Sequence, residues 1–89
     1  MILQEKMQVR NHCGVHGRVA TRLAEIAIST DVEMELIKDG QHVDCRSILD
    51  VLALALTRGI HVEVRVKGQE AEVALAAVRR LLRGESEDA

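Results

Sequence analysis

The sequence predicts a two-layer α+β domain, an antiparallel sheet with its helices on one face, and three observations carry that reading. The strand-like segments alternate apolar and polar residues, so only one face of the sheet is dry; a sheet covered on both faces would read as continuous apolar runs. Each long helical segment carries a single apolar stripe. The segments follow the order strand, helix, strand, strand, helix, strand, helix within 89 residues, a length that allows one domain and one core.

Leu3, Glu5, Met7 and Val9 alternate with Gln4, Lys6, Gln8 and Arg10, which reads as a strand with one polar face and a lone acid, Glu5, in its apolar set. After a loop from Asn11 to Gly17, Val19, Ala20, Leu23, Ile26 and Ala27 recur at helical spacing opposite Arg22 and Glu25. That helix is expected to run to about Ile28, where Ser29-Thr30-Asp31 breaks it. Val32, Met34 and Leu36 alternate with Glu33 and Glu35, and Asp39-Gly40 is a two-residue hairpin signal leading into His42-Val43-Asp44-Cys45.

The run from Ile48 to Leu56 is apolar enough for a buried strand, and its ends decide for a short helix. Ser47 followed by Asp50 forms a capping-box pattern, the interior is rich in Leu and Ala, and Arg58-Gly59 is expected to supply a C-terminal cation and cap. Ile60, Val62, Val64 and Val66 alternate strictly with His61, Glu63, Arg65 and Lys67, the clearest strand in the chain. Val73, Ala74, Ala77, Val78, Leu81 and Leu82 then form a helical stripe opposite Glu70, Arg79, Arg80 and Arg83. The domain is expected over residues 1–84, with 85–89 an acidic, frayed tail.

Composition narrows the function classes. The chain has no aromatic residue, no proline and a net charge of -2, so it lacks both the stacking platforms and the excess of cations on which nucleic-acid binding rests. Met1 to Lys6 has neither the apolar length of a signal peptide nor that of a membrane span, which points to the cytoplasm, with Cys13 and Cys45 as free thiols.

The chemistry gathers at Gly14-Val15-His16-Gly17-Arg18, between the first strand and the first helix. Glycines on both sides of His16 permit a sharp turn and close approach, and the first free amides of the following helix favour an anion. An imidazole is a competent nucleophile near neutral pH, since the residue type titrates near pH ~6.5. Together with the Arg18 cation, these groups suit a phosphoryl group, whose transfer depends mainly on orientation and charge neutralisation. The alternative is a histidine that merely caps the helix. His12, Cys13 and His16 match no closed four-ligand metal pattern, and Cys13 has no accompanying base, so no metal or cofactor is expected.

Asn11 through Thr21 resembles the active-site signature of the HPr family, the histidine-containing phosphocarriers of bacterial phosphotransferase systems, and Arg46-Ser47-Ile48-Leu49 falls where that family has its second signature. The resemblance covers nearly the whole chain. It implies an open-faced sandwich, βαββαβα, with sheet order 1-4-2-3 and three helices on one face. It implies a monomeric carrier, not an enzyme, phosphorylated on His16 Nδ1 by enzyme I with phosphoenolpyruvate as the original donor. EIIA proteins or domains of a sugar or nitrogen system would receive the group. Arg18 and the Gly17 amide would hold the phosphoryl oxygens; Val15, Arg22, Arg46, Ile48, Leu49 and Leu52 would dock partners. Ser47 would be the target of an HPr kinase/phosphorylase, and in a regulatory variant of the fold that modification, rather than transfer at His16, would control binding.

The chain departs from the family pattern at four informative positions. Val19 stands where proline is usual and Gly17 where alanine or threonine is usual, changes expected to loosen the helix start. Asp50 adds an acid to the docking helix. Ala55 replaces a frequent glycine, a change expected to be favourable within a helix.

Overall fold

The computed structural model describes residues 1–85. The chain forms β1 (Ile2–Gln8), α1 (Gly17–Ser29), β2 (Glu33–Lys38), β3 (Gln41–Asp44), α2 (Ile48–Ala53), β4 (His61–Lys67) and α3 (Ala71–Leu82). The four strands make one antiparallel sheet in the order β1-β4-β2-β3. This is the expected βαββαβα open-faced sandwich; of the acidic tail, the part beyond Glu85 lies outside the described residues.

The period-2 pattern explains which strands are central. In register, Leu3 faces Val66 and Met7 faces Val62 across β1 and β4, while Val66 faces Met34 and Val64 faces Leu36 across β4 and β2. The apolar rows of three strands thereby become one surface, and Val64, Val66 and Leu36 are fully buried under the helices. Burying a side chain of this size contributes about 1.5–3 kcal/mol. The opposite face presents Gln4, Lys6, Gln8, His61 and Lys67 to solvent.

Glu5 belongs to the inward set and its partner comes from α3. Arg79 donates from Nε to Oε2 at 3.0 Å and from Nη2 to Oε1 at 2.6 Å, a two-point contact across the rim of the core. Sequence periodicity put Arg79 on the solvent side of its helix; its length lets it reach back over β1. The buried stripe of α3 is Ala71, Ala74, Leu75, Val78, Leu81 and Leu82, the strict i, i+3, i+4 set. Val73, expected in that stripe, is one position off it and 56% exposed.

The second helix corrects the reading of its ends. Ser47 occupies the N-cap with no side-chain cap hydrogen bond, so the capping box with Asp50 does not form. The turn is made instead by Asp44, whose Oδ1 accepts from the Arg46 amide at 2.8 Å and whose carbonyl accepts from the Ser47 amide at 3.0 Å. The helix stops at Ala53, and the Leu54 carbonyl accepts from Lys38 Nζ at 3.2 Å. Arg58-Gly59 is therefore not its cap; the Gly59 amide donates to Val9 at 2.7 Å, tying the entry of β4 to the end of β1.

Ala55 lies beyond the helix in the left-handed region, at φ 53°. Alanine in place of the usual glycine is therefore a strain rather than a gain in helix propensity, because its Cβ crowds the following carbonyl in that conformation.

Two outcomes follow from these contacts. Ala55→Gly is expected to raise stability by about 0.5–1 kcal/mol, seen as a higher urea midpoint with an unchanged slope; a fall would show that Ala55 is unstrained. The Arg79 hydrogen bonds hold the Glu5 carboxyl below its ordinary range, with burial opposing and the Arg79 charge assisting. A lowered folded-state pKa means that the contribution is present above the ordinary carboxylate value and lost as pH falls through the folded one. Acid titration of the urea midpoint should therefore be steeper for the wild type than for Arg79→Met, and parallel curves would refute the linkage.

Candidate functional site

The loop that carries His16 is pinned at both ends. At its start, Val9 donates to Ile60 at 2.9 Å and Arg10 donates to Leu82 at 2.8 Å. Asn11 continues the inward parity of Leu3, Glu5, Met7 and Val9; it is fully buried and its Nδ2 donates to the Leu81 carbonyl at 2.8 Å. The loop thus begins by bonding two carbonyls at the end of α3, Leu82 and Leu81, the latter also accepting from the Gly84 amide at 3.0 Å.

Its second anchor is a close backbone approach. The Gly14 amide donates to Asn11 at 3.0 Å, and the Val15 amide donates to the Leu56 carbonyl at 2.8 Å. Gly14 adopts φ 68°, and a Cβ there would lie 2.5 Å from the Leu56 oxygen and 3.0 Å from the Thr57 Cα. Both the conformation and the contact require glycine. Val15 is 8% exposed and belongs to the core, so it anchors the loop and offers a partner little surface.

His16 is the N-cap of α1, extended at φ −101° and ψ −173°. Its carbonyl accepts from the Ala20 amide at 2.8 Å, and its Nδ1 accepts from the Arg18 amide at 3.3 Å. A ring nitrogen that accepts carries no proton, so the neutral ring has its hydrogen on Nε2. Capping and nucleophilicity, alternatives in the sequence, here involve the same lone pair. The amides of Gly17 and Val19 have no backbone acceptor among the described residues, and the positive end of the helix macrodipole lies at the same place. An anion bonded to Nδ1 would meet the N–H groups that the imidazole caps.

Gly17 begins the helix and Val19 is fully buried. Val19 retains an N–H that proline lacks.

Around this point Arg18 and Arg22 are exposed, the latter 3.6 Å from Glu25. Arg46 is exposed and donates from Nη2 to the Val32 carbonyl at 3.2 Å, which ties it to the chain just past the C-terminus of α1, the end away from His16. On α2, Ile48 and Leu52 are partly buried against the core, whereas Leu49 is 79% exposed. Ser47 is half-buried.

Among the described residues no cluster of three or more His, Cys, Asp or Glu is placed to hold a metal ion. Cys13 is exposed; Cys45 is buried, and burial first, then Asp44 and Glu35, pushes its thiol up to about 12. The thiolate of Cys45 is thus out of reach at neutral pH. No helix among the described residues is long and apolar enough to cross a membrane.

Sequence reasoning missed Asn11 and the Leu56-Thr57 segment beneath Gly14. The signal for Asn11 was its parity, a polar residue in the next inward position. For Leu56-Thr57 no local signal exists, because the contact joins distant parts of the chain.

Comparison with known proteins agrees with this geometry. A family model described as the PTS HPr component phosphorylation site matches residues 3–84. Phosphocarrier protein HPr of Treponema pallidum (strain Nichols) is 33% identical over 82 residues, 92% of this chain and 93% of the relative. Phosphocarrier protein NPr of Escherichia coli (strain K12) is 33% identical over 79 residues, 88% of each chain. The crystal structure of an HPr from Bacillus anthracis str. Ames superposes with a TM-score of 0.85 at 27% identity, covering 91% of this chain and 96% of that one. With the match running from β1 through α3 and across both signatures, the chain belongs to the HPr family of phosphocarriers of the phosphotransferase system.

Proposed function

We propose that His16 accepts a phosphoryl group on Nδ1 from phosphorylated enzyme I, ultimately from phosphoenolpyruvate, and passes it to EIIA proteins or domains. The observation that carries this reading is the place of His16 at the N-cap of α1, where its Nδ1 accepts from the Arg18 amide at 3.3 Å. In the transfer, that lone pair forms the N–P bond while the bond from phosphorus to the donor breaks, its electron pair leaving with the donor. The ring proton stays on Nε2. The Gly17 and Arg18 amides, joined by Val19 and the Arg18 guanidinium, neutralise the phosphoryl oxygens.

The protein is the phosphorylated intermediate rather than an enzyme, and it acts in the cytoplasm as a monomer. Partners dock on Leu49 and the exposed parts of Ile48 and Leu52, with the exposed Arg18, Arg22 and Arg46 as the cations that an acidic partner would complement. The HPr and NPr relatives are equally similar at 33% identity, so the proposal names the carrier step common to sugar and nitrogen systems. A regulatory reading is favoured by Ser47, whose hydroxyl makes no cap hydrogen bond. Phosphorylation there by an HPr kinase/phosphorylase would place about two negative charges beside Leu49 and repel an acidic partner.

Incubation with enzyme I and phosphoenolpyruvate should give an acid-labile adduct that maps to His16 and is absent from His16→Ala; an adduct that persists in the variant refutes the assignment. Gly14→Ala should destabilise the fold by about 2–3 kcal/mol and slow adduct formation although His16 is unchanged. Wild-type stability and rate would show that the Leu56-Thr57 contact does not position the loop.

A further inference from the structure

Beside the His16 loop, and separate from the N-terminus of α1, lies a cleft of about 380 Å³ lined by Gln8, Val9, Arg10, Arg58, Gly59 and Arg83. Its three arginines come from three places: the end of β1, the turn before β4 and the end of α3. None of its lining residues is an acid. Among the described residues Arg10 and Arg58 make no side-chain hydrogen bond or ion pair; Arg83 pairs with Glu85, at 3.4 Å with both side chains about half exposed, and its charge also acts on Glu5. Exposed pairs of that kind contribute little. In a chain of net charge -2, this convergence of like charge makes a local positive field.

An ordinary explanation covers part of the cluster, since cations are favoured at a helix C-terminus and Arg83 follows α3. It does not cover Arg10 or Arg58, which lie on no helix. Their backbone is held in place: the Arg10 amide donates to Leu82, the Gly59 amide to Val9, and Gln8 Nε2 to the Gly59 carbonyl at 3.2 Å. The α3 carbonyls that would repel an anion are engaged, Leu81 by Asn11, Leu82 by Arg10, Arg79 by Arg83 and Arg80 by Glu85. The floor of the cleft is thus preformed, which lowers the ordering cost of binding.

We propose that Arg10, Arg58 and Arg83 form a second anion site that takes a small molecule bearing phosphoryl groups. Guanidinium forks match phosphoryl oxygens in two-point contacts, and the volume is in the lower range of small-molecule pockets, about 300–1,000 Å³. Three guanidinium groups around an open cleft of this size match a compact ligand carrying several phosphoryl oxygens. The consequence is regulatory. Arg10 precedes Asn11, and the Arg58 nitrogen would lie 3.3 Å from a Cβ at Gly14, so an anion bridging the arginines ties together both anchors of the His16 loop.

The full chain, labelled with ¹⁵N, is titrated with pyrophosphate at constant ionic strength set by sodium chloride, with inorganic phosphate as a weaker comparison. Saturable amide shifts are expected at Arg10, Arg58, Gly59 and Arg83. The Arg10→Gln/Arg58→Gln variant should bind about tenfold more weakly or worse, Arg83→Gln should weaken binding independently, and His16→Ala should bind as the wild type does. That last arm separates this site from phosphoryl transfer. Shifts confined to Gly17 and Arg18, shifts that do not saturate, or equal affinity in the arginine variants would overturn the proposal.

Discussion

The approach of Gly14 to the Leu56-Thr57 backbone is the contact on which the functional geometry depends. A loop of mostly small and polar residues has little apolar surface with which to order itself. Here two long-range attachments replace that missing core: Asn11 into the end of α3, and Val15 onto Leu56. Between them the chain turns at Gly14 and delivers His16 to the first position before α1. Remove the close approach and the imidazole is still present, but the turn that sets it beside the Arg18 amide loses an anchor.

The sheet supplies the frame for those attachments. β1 and β4 pair from Ile2 with Lys67 to Gln8 with His61, and the chain leaves that edge directly into the loop. The Glu5–Arg79 contact joins β1 to α3, and the same helix offers its last carbonyls to Arg10 and Asn11. The N-terminal strand, the C-terminal helix and the site are one mechanical unit. The two ends of the chain therefore fix a residue near its beginning. Arg10, Arg58 and Arg83 line the cleft beside the loop, whereas Arg46 is tied to Val32, past the far end of α1.

Most of the fold was legible because periodicity is a direct record of burial. The strict alternation from Ile60 to Lys67 marked β4, and its two apolar neighbours followed from one-sided patterning. The sheet order was not readable from the strands themselves; it came from the likeness of two motifs to a known family. What misled was local chemistry at the ends of α2. Ser47 and Asp50 have the spacing of a capping box, yet Asp44 makes the turn, and Ala55 has high helix propensity yet sits in the left-handed region. At the start of α2 a competing local turn takes over, and at its end the segment that passes beneath Gly14 overrides helix propensity. The site was legible in its chemistry, His16 beside Arg18 at a helix start. Its positioning was not, since that depends on partners some forty to seventy residues away.

The most direct measurement is long-range ¹H–¹⁵N correlation of the His16 imidazole before and after phosphorylation, with the amide shifts of Gly17, Arg18 and Val19 followed in the same samples. The predicted result is a neutral ring protonated on Nε2, phosphorylation on Nδ1, and downfield movement of those amides as they bond the phosphoryl oxygens. Phosphorylation on Nε2, or on Nδ1 with the amides unmoved, would contradict the claim that the helix entrance orients the histidine and receives the group.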